Sequence, residues 1–155
     1  MGRISKIKKY AKSSKLMDIT IKYGGDKFNF NLFEELVINE NKINTELKEQ
    51  PSSYGFLLLL HKKLVRVKDD LDLEKDKTWA QAYLKAKGTT DDNTGRPMAN
   101  DSAKEMATAD RKYIKSAQKL NKAKETADLV GSCCRSFEQR GHLVQSIAAN
   151  LRKEN

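Results

Sequence analysis

The chain has 155 residues, enough for one compact domain or one elongated helical unit. Thirty Lys and Arg against 21 Asp and Glu leave a formal charge of +9; 33% of residues are charged and only 38% are AVILMFWYC, which disfavours a large single-chain core and leaves any apolar stripe to close against other copies of the chain. Two Pro and eight Gly weigh against a turn-rich β-sandwich, no apolar run nears the roughly 18 residues of a membrane span, and the adjacent Cys133 and Cys134 offer no disulfide framework, so a soluble cytoplasmic protein is expected.

Residues 1–28 form a basic N-terminal extension, with Arg3, Lys6, Lys8, Lys9, Lys12 and Lys15 at its start and only a weak stripe of Ile4, Ile7 and Ala11. It is expected to be a flexible, solvated arm that orders on contact with a polyanion. Gly24-Gly25-Asp26 punctuates the chain. Beyond it, Phe28 to Leu32 alternates like a short strand, while Asn31 with Glu34 three residues on equally fits a helix cap followed by Phe33, Leu36 and Val37. The polar run Asn39 to Asn44 interrupts that segment.

From residue 29 to the end a single helical domain is expected. Pro51-Ser52-Ser53 opens its first long helix, over about 52–87, with a heptad seam of Leu57, Leu60, Leu64, Val67 and Leu71. The seam breaks across the charged Asp72 to Lys77 and resumes at Trp79, Ala82, Tyr83 and Ala86. Gly88 is the natural C-cap, and residues 88–100 read as a mobile loop. Asp101 or Ser102, with Glu105 as partner, caps a second helix over about 101–153. Its seam runs Met106, Ala109, Tyr113, Ser116, Leu120, Ala123, Ala127, Val130, Cys134, Phe137, Gly141, Val144, Ala148 and Leu151. Some 50 continuous residues would make a rod of roughly 75 Å, with Gly131 and Gly141 the places for a bend. So many small residues bury little area per chain. The seam therefore predicts an oligomer, with Tyr113, Leu120, Val130, Phe137, Val144 and Leu151 as its oligomerisation contacts. The fold class is mainly all-α: two long antiparallel helices forming a helical hairpin, preceded by a short N-terminal helix or strand segment.

Nothing in the sequence assembles an active site. Gly-rich phosphate loops and CxxC or HExxH spacings are absent. His61 and His142 fall on different helices, and Cys133-Cys134 on the seam reads as buried small apolar residues rather than reactive thiols. The expectation is no enzyme, no cofactor and no metal. The positive charge is more informative. Lys85 and Lys87 end the first long helix, Arg96 lies across the loop, and Trp79 and Tyr83 sit one turn before them. Cations beside aromatic faces suit a sequence-tolerant single-strand site, although Trp79 and Tyr83 at this spacing also fit the core of the hairpin. Lys112, Lys115, Lys119, Lys122 and Lys124 are a further basic stretch, ordinarily the wet side of a rod, which in an oligomer would add to a polyanion track.

The order of these features resembles the phage recombination mediator family, the UvsY-type proteins. Leu84-Lys85-Ala86-Lys87 is similar to that family's Leu-Lys-Ala-Arg motif, also at the end of the middle helix before a Gly-rich loop. Ala109-Asp110, Leu120, Arg140-Gly141 and Ile147 are similar to its C-terminal pattern without gaps, and Phe33 to Asn39 with Lys42 to its opening segment. The likeness covers roughly residues 30–153. Lys87 stands where the family has Arg, which keeps the charge and loses the bidentate fork. The resemblance implies a homo-oligomeric ring, a hexamer or heptamer. It would bind single-stranded DNA through Lys85 and Lys87 and help load a RecA-type recombinase onto DNA coated by single-strand-binding protein, in the host cytoplasm if the chain is phage-encoded. The alternative is a structural coiled-coil adaptor or virion-associated oligomer that binds no nucleic acid.

Overall fold

A computed structural model describes residues 15–91 and 94–153. Of the expected basic extension, residues 1–14 lie outside them, and the remainder is not an arm. A 3-10 turn, Lys15–Met17, leads into an antiparallel hairpin of β1, Asp18–Tyr23, and β2, Asp26–Asn31. Gly24 and Gly25 both take positive φ, 62° and 93°, the two-residue turn that matches strand twist and that side chains resist. The register pairs Ile19 with Phe30 and Ile21 with Phe28, so one face is apolar. Ile21 is fully buried, and Phe28 sets its ring edge-to-face on Phe56 with centroids 5.4 Å apart. The other face is laced by Thr20–Asn29 and Asn31–Asp18 side-chain bonds of 2.9 and 2.7 Å.

Both readings of Asn31 hold at once. It closes β2, and its Oδ1 accepts the Glu34 N–H to cap α1, Leu32–Leu36. A 3-10 turn over Glu40–Lys42 follows. The first long helix, α2, then starts at Ile43 and runs to Lys87, well ahead of the expected opening at Pro51. Pro51 lies inside it and deprives the Leu47 carbonyl of its helical donor. Tertiary bonds hold the early turns instead. Arg140 donates to both Glu46 and Gln50 and, at 3.2 Å, to the Val37 carbonyl, Gln50 donates to the Phe137 carbonyl, and the Asn39 N–H reaches Glu46 at 3.1 Å.

The second long helix is split. Asn100–Ala109 is α3 and Arg111–Lys153 is α4, separated at Asp110, whose ψ of 131° is extended. The Asp110 carboxylate caps α4 by accepting the Lys112 and Tyr113 N–H groups at 2.7 and 3.1 Å. The expected capping box at Ser102 is not used: α3 begins at Asn100, and its N-cap, Ala99, makes no side-chain bond. Neither Gly131 nor Gly141 interrupts α4. Their missing side chains admit neighbours instead, since a Cβ on Gly131 would lie 2.9 Å from His61 Nε2 and one on Gly141 3.3 Å from Gln50 Nε2.

The chain divides into two compact units, one up to His61 and again from Leu129, the other Lys62–Asp128. In the first, Gln50 meets Phe137 and Arg140 while His61 meets Gly131, so α2 and α4 run antiparallel. Leu57, Leu60, Val130, Cys133, Cys134, Phe137, Val144 and Ala148 are its buried stripe. Burial pushes both thiols up, which suits packing rather than reactivity. In the second unit Glu74 lies opposite Lys119, 3.9 Å apart, and Leu64, Ala86, Ala103, Ala107, Ser116, Leu120 and Ala127 are buried. α2 passes unbroken through the charged run. Half-buried Lys75 carries the seam there on its aliphatic stem, its ammonium reaching Asp72 and Asp76 at 2.7 and 3.3 Å. The seam thus closes within a single chain: of the six expected oligomerisation contacts, Leu120, Val130, Phe137 and Val144 are buried, and Tyr113 and Leu151 half-buried.

Candidate nucleic-acid interface

Lys85, Lys87, Trp79, Tyr83 and Arg96 all belong to the second unit. Successive residues of the last turn of α2 are rotated by about 100°, and this sorts the Leu84-Lys85-Ala86-Lys87 run by environment. Ala86 is buried at 4%, Leu84 is 69% exposed, and Lys85 faces solvent. Lys87 is half-buried, and its Nζ donates to the Met98 carbonyl at 2.8 Å, so one lysine of the motif faces outward and the other ties down the loop.

That loop carries its own hydrogen bonds over its described residues. Gly88 donates back to Leu84 and Lys85 without positive φ, so it ends α2 but is not a left-handed C-cap. Thr90 and Pro97 form an antiparallel bridge, Met98 N–H bonds the Thr89 carbonyl, and Asp91 N–H bonds the Arg96 carbonyl at 2.8 Å. Gly95, at φ 64°, makes the tight turn beside exposed Arg96.

Trp79 and Tyr83 stack on each other, centroids 5.4 Å apart and planes within 6°, the offset geometry aromatic pairs favour. Both are half-buried, and they join α2 to α3: Trp79 Nε1 donates to Thr108 and the Tyr83 hydroxyl to Asn100, each at 3.4 Å. The faces they turn to each other are not open to a base.

Lys85 has company that sequence reasoning missed. With Thr78, Gln81 and Ala82 on α2 and Asp110 and Lys112 at the start of α4, it lines a small polar notch of about 110 Å³. Asp110 is held below its ordinary carboxylate value by the Tyr113 and Lys112 N–H groups, with the charges of Lys85 and Lys112 adding to them. It is therefore ionised between two cations. The one available signal was Asp110 itself, a capping residue immediately before Arg111-Lys112. Among the described residues no His, Cys, Asp or Glu cluster could hold a metal ion, and no helix is long and apolar enough to cross a membrane.

No family model matches the sequence, and no curated protein does. Among solved structures, the bacteriophage T4 recombination mediator protein UvsY superposes on 80% of this chain and 93% of its own, with a TM-score of 0.65 at 17% identity. The chain has the UvsY fold. UvsY in a second crystal lattice gives the same result, a TM-score of 0.63 over 80% of this chain and 96% of that one. The Leu84-to-Lys87 run, the Asp110 cap and Arg140-Gly141, which carry the sequence resemblance, become respectively the end of α2, the break before α4 and the clamp of α4 on the first turns of α2.

Proposed function

We propose that this chain is a non-enzymatic, single-stranded-DNA-binding recombination mediator that helps load a RecA-type recombinase onto DNA coated by single-strand-binding protein. The observation that carries the reading is the match in fold to UvsY, a recombination mediator, over 80% of the chain. The +9 charge and the outward-facing Lys85 are consistent with it. Lys85 and Arg96 contact the strand, Lys87 holds the loop that carries Arg96, and Trp79 and Tyr83 fix the helix on which Lys85 stands. A strand drawn across several copies is held multivalently and competes for phosphates with the coating protein, which opens a place for the recombinase to nucleate. Homo-oligomerisation into a hexamer or heptamer is part of the proposal. Since the seam is filled within one chain, the surface for it comes from exposed side chains such as Leu59, Leu73 and Leu143.

The test is a salt series of fluorescence-anisotropy titrations with a labelled oligonucleotide, alongside displacement of labelled single-strand-binding protein by recombinase. Lys85→Ala weakens binding and, losing one phosphate contact per protomer, flattens the log–log salt slope by about 0.7. A folded wild-type oligomer that ignores oligonucleotides in dilute buffer would instead establish the adaptor alternative.

A further inference from the structure

We propose that the strand-binding surface does not end at the loop but continues along the first turns of α4 as a rail of Lys112, Lys115, Lys119 and Lys122, and that Asp110 restrains its affinity; this rests on the single-strand reading above. The four lysines are spaced three, four and three residues apart, which places them on one flank of the helix, and all four are exposed. Successive ammonium groups therefore stand about 4.5–6 Å apart along the axis. A flexible strand can seat its phosphates in turn on such a line, while a stiff duplex touches a straight rail at few points. The rail begins where the assigned site ends, since Lys112 shares its notch with Lys85, and Thr78 and Gln81 there add neutral donors. Two acids lie along it. Glu74 reaches Lys119 at 3.9 Å, both side chains more than half exposed, too weak a pair to hold the lysine from a phosphate. Asp110 is fixed by its capping bonds between Lys85 and Lys112 and stays charged.

Lys124, grouped with these lysines by sequence, lies instead on the opposite flank of the helix, where its charge acts on Asp72; it is therefore not part of the rail and serves as the control. The test uses the full chain and a fluorescent oligothymidylate titrated across a salt series, with circular dichroism confirming that each variant is helical. Lys112→Gln/Lys119→Gln flattens the salt slope by about 1.4 per protomer, twice the roughly 0.7 expected for one single-strand phosphate, and Lys124→Gln leaves it unchanged. Asp110→Asn keeps a competent cap and tightens binding several-fold at moderate salt. If wild type binds but the double variant keeps its slope, the rail is idle and only the loop site stands. If a duplex of equal length binds as tightly and loses as much in the double variant, the rail is a general polyanion surface and the single-strand assignment falls. If wild type itself does not bind, the functional reading fails rather than the rail.

Discussion

Arg140 joins three stretches of chain that are remote in sequence: the Val37 carbonyl after α1, Glu46 and Gln50 in the first turns of α2, and its own helix α4. Its side chain is 10% exposed and that of Glu46 15%, so the pair is largely withdrawn from water and either member alone would be left costly. Burial raises the Glu46 carboxyl, but the Asn39 N–H and the Arg140 guanidinium outweigh it and hold the group below the ordinary value of 4.5. The sign follows. Its contribution to stability is complete above 4.5 and disappears as the pH falls from there through the lower folded value. Arg140→Met is expected to cost about 3 kcal/mol at neutral pH, read from denaturant midpoints, and less in acid, where Glu46 takes up a proton and no longer needs its partner. Arg140→Lys recovers only part of the loss, because a lysine cannot span Glu46 and Gln50 with one planar fork. A variant whose loss is the same at every pH would show that the ion pair is idle.

At the scale of the element, glycine conformation shows how the loop after α2 is made. Gly88 ends the helix without positive φ, and a Cβ there would sit 3.5 and 3.7 Å from the Lys85 and Leu84 carbonyl oxygens, ordinary contact distances. Gly88→Ala is therefore expected to be neutral or to stabilise by about 0.4–1 kcal/mol through the unfolded state. Gly95 at φ 64° is different: Gly95→Ala costs about 1–2 kcal/mol in backbone strain, and melting both variants under one condition separates the two positions. The helical elements were legible because burial on a helix repeats. Leu57, Leu60 and Leu64, and then Ser116 to Ala148, fall where alternating steps of three and four place them. Element boundaries were not, because they depend on partners distant in sequence. Pro51 reads as a helix start, but the Arg140 bonds carry α2 past it to Ile43, and β1 hides Ile19 and Ile21 in a stretch dominated by its basic surroundings. In the candidate site the lysines were legible as charge. The division of labour between Lys85 and Lys87 was not, because it is set by the Met98 carbonyl across the loop.

For the whole molecule, the question is what the seam of small residues is for. By composition the seam is too poor to close within one chain and implies a contact between copies, but residue types do not register the fit between two helices. Ala, Cys and Gly on α4 let α2 approach closely, as His61 does over Gly131 and Gln50 over Gly141, and close approach recovers in packing what is missing in area. Val130 and Val144 have no exposed surface within the single chain. Val144→Ala is therefore expected to cost about 1–2 kcal/mol as a cavity inside the protomer, lowering the melting temperature by a margin that does not vary with protein concentration and leaving the mass of the proposed assembly unchanged. Leu143→Ala, at a neighbouring position that is 58% exposed, should leave the protomer intact and shift the concentration at which the proposed assembly forms. Sedimentation and melting over a hundredfold range of concentration check both. Should Val144→Ala dissociate the proposed oligomer while its helicity and melting stay at wild-type values, the seam would be shared between copies and the intrachain closure of α2 on α4 would be wrong.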